Sequence, residues 1–264
     1  MTIENYQGKK IIDGSSLLVN DKLTVEQALQ IKINGKPFSI TMRTPGDDTE
    51  LIRGLLYSED IYRSSDPLNI ECLENKEKSI TEAEITVDED LLKSGYSNSR
   101  SFLSASSCGI CGKTELDDID TSCQVADKNQ IDLNALLKMF ARMKEAQETF
   151  HQSGGSHAAA AFTNTGDLLS IREDIGRHNA VDKVIGHLLD NENLNKAKCL
   201  TVSGRISYEI IAKAFAAKIP ILAAVSAPSS LAVDFAKELG ITLLGFCREN
   251  KATCYSHPNR ILSQ

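Results

Sequence analysis

From Ser16 to Arg43 apolar and polar side chains alternate, first in Leu17-Leu18-Val19 and then across Ile31-Lys32-Ile33-Asn34-Gly35-Lys36-Pro37-Phe38-Ser39-Ile40. A period of two interrupted by Asn34-Gly35 predicts antiparallel strands joined by a two-residue turn. Thr44-Pro45-Gly46-Asp47 stops the strand and starts a helix over Thr49–Ser58, whose apolar stripe includes Leu51, Ile52, Leu55 and Leu56. A second strand pair is expected between Ile70 and Val87, so the first third of the chain reads as a small α+β unit.

Beyond residue 130 the rhythm changes. An amphipathic helix is predicted from about Leu133 to Phe150, and strand-like Ala158–Phe162 turns at Asn164-Thr165-Gly166-Asp167 into Leu168–Ile171. Helix and strand then alternate through His178–Leu189, Cys199–Val202, Tyr208–Ala217, Ile221–Val225, Leu231–Leu239 and Ile241–Phe246. That alternation predicts a layered α/β domain with largely parallel strands. The expected organisation is therefore α/β, α+β over the whole chain. Residues 1–93 form an N-terminal α+β subdomain, 94–130 a flexible Ser-rich loop, and 131–264 the α/β domain.

One device occurs twice in the second part. Val202-Ser203-Gly204-Arg205-Ile206-Ser207 and Val225-Ser226-Ala227-Pro228-Ser229-Ser230 both run from a strand end, through small residues, into a helix start. Ligands of parallel sheets lie beyond the carboxyl ends of strands, where helix N-termini offer unpaired N–H groups to anions. A third strand end, Gly245-Phe246-Cys247-Arg248, supplies another arginine. Helix capping accounts equally well for Ser203, Ser207, Ser226 and Ser229. Arg205 and Arg248 are harder to explain by stability, and with the serines they predict a phosphate-binding rim. Gly154-Gly155-Ser156-His157 suits either a plain turn or close backbone approach to a ligand. In Arg172–Lys183, Asp174 is expected to cap a helix with His178 and Asp182 paired at i,i+4, or Gly176-Arg177-His178-Asn179 forms an anion site at its entrance.

Composition narrows the partners. Lys and Arg total 29 against 36 Asp and Glu, a formal charge of -7, and there is no tryptophan. General nucleic-acid binding is not expected on that balance, whereas a few focused arginines still hold phosphates on an acidic protein. No apolar run is long enough to span a membrane, and Met1-Thr2-Ile3-Glu4-Asn5 lacks a signal-peptide pattern, so a cytosolic protein without membrane partners is expected. Seven cysteines at irregular spacing then read as free thiols.

Two of those thiols are displayed for chemistry. Ser106-Ser107-Cys108-Gly109-Ile110-Cys111-Gly112-Lys113 follows a stretch, 94–107, of which half is serine, and glycine stands beside each sulfur. Half of a structural zinc site is one reading, but the nearest candidates, Cys123, His151 and His157, do not repeat the close pair. A thioredoxin-like redox pair is another, yet Thr114-Glu115-Leu116-Asp117-Asp118 does not look like the helix that should follow. Sulfur relay is the third: one thiolate accepts sulfane sulfur as a persulfide, and the second displaces it by forming a disulfide.

Taken in order, the Cys108–Cys111 block, Gly154-Gly155-Ser156-His157-Ala158-Ala159, Arg172–Lys183, Ser203-Gly204-Arg205, Ser226-Ala227-Pro228-Ser229-Ser230-Leu231-Ala232 and Gly245-Phe246-Cys247-Arg248 resemble the FdhD family of formate dehydrogenase accessory sulfurtransferases. The resemblance implies a sulfur carrier loaded by a cysteine desulfurase. It would deliver sulfur to the molybdenum bis(molybdopterin guanine dinucleotide) cofactor before insertion into apo formate dehydrogenase. It also implies a homodimer and a cytidine-deaminase-like C-terminal domain. Carried over, Cys108 bears the persulfide and Cys111 is its relay partner. The segment Phe246, Cys247, Arg248, Glu249, Asn250, Lys251, Ala252 belongs to the cofactor surface, beside Arg205, Ser203, Ser226, Arg177, His178, Gly155 and His157 on the rim and its neighbours. The chain departs from the family pattern at Glu249-Asn250 and at Thr253. It has neither the His-x-Glu nor the Pro-Cys-x-x-Cys of zinc deaminases, so no catalytic zinc is expected. A cofactor chaperone that moves no sulfur and a thiol redox protein are the competing functions.

Overall fold

The computed structural model describes residues 1–64, 66–75, 79–93, 96 and 124–262. The Ser-rich stretch with Cys108, Cys111 and Cys123 lies outside the described residues. The chain opens with a ribbon, β1 (Ile3–Ile12) and β2 (Ser15–Thr24), paired antiparallel from Ile3↔Thr24 to Ile12↔Ser15. Asp13 and Gly14 both take positive φ at its turn, as a two-residue hairpin demands. The alternation beginning near Ser16 therefore belongs to two sheets, because β2 pairs with β1 and not with β3 (Gln27–Ile33).

Asn34-Gly35 turns β3 into β4 (Lys36–Arg43) as expected. β3 also pairs in parallel with β6 (Ile80–Thr86), and β6 antiparallel with β5 (Asn69–Asn75), giving the order β4-β3-β6-β5. Leu29, Ile31 and Ile33 of β3, with Ala83 and Ile85 of β6, share a core with Leu51, Ile52 and Leu56 of α1 (Asp48–Ser58). Burial of each such aliphatic side chain stabilises by about 1.5–3 kcal/mol.

After the short β7 (Ile131–Asp132), the expected helix from Leu133 to Phe150 is two helices, α2 (Leu133–Glu145) and α3 (Glu148–Ser153). The break is fixed by Glu173, whose carboxylate accepts the Thr149 and Phe150 N–H groups at 2.8 and 2.9 Å and so starts a new first turn. A six-stranded sheet follows from β8 (His157–Phe162), β9 (Leu168–Asp174), β10 (Cys199–Val202), β11 (Ile221–Ala224), β12 (Thr242–Arg248) and β13 (Lys251–Ser256). Its order is β13-β12-β11-β10-β8-β9. Only β10-β11 and β11-β12 are parallel, so the expectation of largely parallel strands is corrected: hairpins at both ends make the other pairings antiparallel.

Alternation along the strands divides the core. Ala159, Ala161, Leu200, Val202, Leu222, Ala224 and Leu243 face α4 (Arg177–Asp190), α5 (Tyr208–Ala216) and α6 (Ser230–Glu238). Ala158, Ala160, Phe162, Cys199, Ile221, Ala223 and Leu244 face Leu136, Met139, Phe140 and Met143 of α2. Among the described residues no helix is long and apolar enough to cross a membrane.

The two larger sheets are joined by a helix crossing. A Cβ on Gly54 of α1 would stand 1.9 Å from the Asp182 carbonyl oxygen, and one on Gly186 of α4 would stand 1.9 Å from that of Glu50. Backbone meets backbone there, with no flexible side chain to give way. A polar rim seals it: Arg172 Nη2 donates to Glu50 Oε1 at 2.7 Å, and His187 Nδ1 lies 2.9 Å from the same oxygen. Burial opposes ionisation of Glu50, but Arg172 and His187 outweigh it and lower its pKa. Gly186→Ala is expected to cost at least about 3 kcal/mol, the upper end for an overpacked core, read as a lower urea midpoint. Gly54→Ala should do the same.

Candidate functional site

Parallel pairing carries the ends of β10, β11 and β12 to one edge of the sheet, and antiparallel β8 adds its first residues beside them. Ser203 N–H donates to Ala158 O at 2.9 Å, while Ser203 Oγ accepts the Ala158 N–H at 2.9 Å. Its hydroxyl oxygen is thereby engaged at the sheet edge. The loops after β10 and β11 are laced together, Ile206 N–H to Ala227 O at 3.2 Å and Ser229 N–H to Ile206 O at 2.9 Å. Ser229 caps α6 by accepting from Ala232 N–H, as its sequence position suggests. Ser207 leaves the start of α5 uncapped and instead meets His178 Nε2 at 3.1 Å.

Gly204 is the centre of this edge. A Cβ there would lie 3.3 Å from His157 Nδ1 and 3.5 Å from the Arg177 Cβ, so glycine allows β8, the β10 loop and the start of α4 to converge. Burial and then Arg177 lower the His157 pKa; Asp174 opposes them, and His178 and Arg205 add to the lowering. His157 is therefore a neutral imidazole at neutral pH. Arg177 Nε is buried and finds no hydrogen-bond partner among the described residues. A buried cationic donor left unpaired is costly, and an incoming anion relieves it.

The entrance of α4 rests on Asp174. Its Oδ1 accepts from Gly176 N–H at 2.8 Å and Asn179 Nδ2 at 2.9 Å; its Oδ2 accepts from Thr44 N–H at 3.1 Å and lies 2.8 Å from Lys183 Nζ. Asp174 and Lys183 are both fully buried. The expected pairing of His178 with Asp182 is corrected. Asp182 bonds Lys213 at 2.9 Å, and His178 Nε2 turns to Ser207 and to Glu209 Oε2 at 3.7 Å. Glu209 was not singled out from sequence, although an acid two residues after a helix-start serine is a usable signal. Its bond with His178 is the main reason its pKa falls to about 2, with Ser207 and its own backbone N–H helping against burial.

Gly154 ends α3 at φ 68°, and a Cβ on Gly155 would lie 3.0 Å from Thr24 Oγ1. The close approach at this Gly-Gly pair is thus to the base of the β1-β2 ribbon. At the far side of the edge, β12 carries one extra residue between Gly245↔Thr253 and Arg248↔Lys251. This bulge, with Phe246 at φ 54°, turns the Phe246 ring outward and Cys247 inward. Phe246 N–H donates to Ser226 O at 3.1 Å, tying the bulge to the β11 loop. Glu249 and Asn250, both at positive φ, make the two-residue turn, and Arg248, Glu249, Asn250 and Lys251 are exposed with Ala252 half-buried. Burial pushes the Cys247 thiol up to about 12, with Cys254 adding and a backbone bond to Ala224 opposing; burial also raises Cys199. Neither is a thiolate at neutral pH, so the described interior cysteines are poor sulfur nucleophiles.

His157 supplies a pH test. Its folded pKa lies below the unfolded value of about 6.5, so the unfolded chain takes up the proton first. The stability gained by burying the neutral ring is complete above that pH and is lost as pH falls below it. Urea midpoints measured at about pH 7.5 and 5.5 should show the loss, and His157→Gln should flatten it.

The sequence model of the FdhD/NarQ family matches residues 24–262. "Sulfur carrier protein FdhD" of Streptomyces avermitilis is 41% identical over 262 residues, covering 96% of this chain and 93% of that protein. The protein of the same name from Sulfolobus acidocaldarius is 40% identical over 264 residues, with 99% of each chain covered. Among solved structures, a putative formate dehydrogenase accessory protein from Desulfotalea psychrophila superposes with a TM-score of 0.78 at 20% identity, covering 99% of this chain and 100% of that one. That likeness shows a shared fold. With the family pattern running through both larger sheets and the whole strand-end edge, this chain belongs to the FdhD/NarQ family.

Proposed function

We propose that this protein is a sulfur carrier serving formate dehydrogenase, and that the strand-end edge holds the molybdenum bis(molybdopterin guanine dinucleotide) cofactor as cargo. The observation that carries the cargo reading is the buried Arg177 Nε, without a hydrogen-bond partner among the described residues, beside Gly204, with Arg205 exposed next to it. Such a site suits a pyrophosphate: cationic, rimmed by loop backbone, and floored by glycine. Phe246, exposed on its bulge, offers a flat apolar face to a planar ring. The six-stranded sheet with helices on both faces is consistent with a cytidine-deaminase-like layer.

The sulfur step rests on the names of the relatives and on the Cys108–Cys111 pair. The Cys108 thiolate attacks the outer sulfur of a cysteine desulfurase persulfide; a new S–S bond forms and the donor's thiolate leaves. Attack by Cys111 on Cys108 then gives a disulfide and frees the outer sulfur at the sulfide level, two electrons coming from the two thiols. A cellular thiol reductant restores the pair. The loaded cargo passes to apo formate dehydrogenase in the cytosol.

Intact-mass measurement after incubation with a cysteine desulfurase and cysteine tests the carrier step. A gain of one sulfur, about 32 Da, lost on reduction, is expected on the unaltered chain and on Cys111→Ala, and is expected to be absent on Cys108→Ala. Cys111→Ala should load but hand over poorly. No adduct on any form would favour the cofactor chaperone that moves no sulfur. Arg177→Ala should weaken binding of guanosine diphosphate, a probe for the guanylyl end, by about tenfold or more, the value of one charged hydrogen bond; unchanged affinity would remove Arg177 from the site.

A further inference from the structure

Among the described residues, arginines away from the strand-end edge meet a carboxylate or a backbone carbonyl, as Arg172 does at Glu50 and Arg260 at the Gly240 carbonyl. Arg177, Arg205 and Arg248 on the edge meet neither. His157 stands within that unpaired positive charge. β8 puts its side chain on the face turned toward α4, in register with Asp174 of β9. Gly204 comes up against the ring from the β10 loop, where a Cβ would lie 3.3 Å from Nδ1 and 3.4 Å from Cε1. The ring is half-buried and makes no hydrogen bond among the described residues. Buried polar groups are ordinarily paired, and here both ring nitrogens are unspent.

The groups facing the ring decide its charge. Arg177 and His178 approach from α4, Arg205 from the β10 loop and Asp174 from β9. Asp174 favours a proton on His157, but its oxygens are already taken by the Gly176 and Thr44 N–H groups, Asn179 and Lys183. His178 is likewise engaged, through Nε2, by Ser207 and Glu209. Without a bound anion, a proton on His157 would therefore sit beside cations with no acceptor of its own. Burial and then Arg177 hold the ring neutral in that state. A phosphate seated on Arg177 reverses both conditions. Its charge cancels the repulsion that opposes the proton, and its oxygens accept from an imidazolium N–H, which are two of the effects that raise a histidine's pKa.

Building on the reading of this edge as a cargo site, on which the inference rests, we propose that His157 is a proton-linked phosphate ligand. Capture of a phosphorylated cargo draws one proton from solvent onto the ring, and a rise in pH weakens the hold. The sign follows from linkage: the proton is absent before binding and present after it, so affinity falls as pH rises between the free and the bound pKa and is flat outside them. Guanosine diphosphate mannose is the probe, because both of its phosphates are esterified and keep a constant charge over the range used. Its affinity for the full chain should fall by up to about tenfold per pH unit between roughly pH 6 and pH 8. Calorimetry at about pH 7, in buffers of different ionisation enthalpy, should show uptake of up to about one proton per ligand bound. His157→Gln keeps a donor but cannot titrate, so it should still bind, with neither uptake nor slope. In proton NMR spectra the imidazole C–H resonance missing from His157→Gln should titrate below about pH 6.5 in the free chain and above it in the complex. Binding without proton uptake would overturn the proposal and leave the cargo reading standing. Uptake that persists in His157→Gln and disappears in His178→Gln would also overturn it, by placing the proton on His178. No binding of the probe at any pH would remove the cargo reading and this proposal together.

Discussion

Gly54 and Gly186 set the distance between α1 and α4, and most of the candidate site inherits its placement from that contact. With backbone against backbone there is no rotamer to adjust, so α4 has one depth at which it packs against the N-terminal unit. The amino end of the same helix carries Arg177 and His178 to the Gly204 edge. Asp174 fastens that end from below, drawing on Thr44 just before α1, Lys183 of α4 and Gly176 at once. A buried ion pair of this kind is weak as a source of stability but strong as a registration device, because each partner is intolerable without the other. The N-terminal sheet thus contributes through α1 and Thr44 to the position of residues more than a hundred positions away.

Elements whose periodicity and punctuation agreed were legible in the sequence. Asn34-Gly35 specified its hairpin, and the helix-strand alternation after residue 176 specified α4, β10, α5, β11, α6 and β12, whereas β13 had no counterpart in it. Pairing partners were less legible, since alternation says which face of a strand is apolar and nothing about its neighbour. β2 was read into the wrong sheet for that reason, and β1 was overlooked although Asp13-Gly14 is as strong a turn signal as Asn34-Gly35. The break between α2 and α3 is imposed from β9 by Glu173, a tertiary cause with no local signature.

For the site, residue types that carry charge at strand ends were found, and Asp174 was expected at the helix start, while Glu209, which orients His178, was not. Arg177, His178, Arg205 and His157 are conspicuous in sequence because strand ends and glycine turns frame them. Glu209 lies inside an ordinary helix start, and only the folded chain sets it beside His178. The motifs also could not say which part of the chain each glycine admits. Gly204 makes room for His157 and Arg177, and Gly155 for Thr24.

The lacing of the β10 and β11 loops through Ile206, Ala227 and Ser229, continued by Phe246 onto Ser226, makes the floor of the edge one hydrogen-bonded sheet extension. Loops tied in this way do not adapt one at a time. On the proposed reading the edge would work as a ruler, with spacings set before any ligand arrives, and discrimination among phosphorylated molecules would fall to length and shape as much as to charge. If the edge holds the cargo proposed for it, little backbone ordering would oppose capture, and release would be driven by something other than the floor opening beneath that cargo.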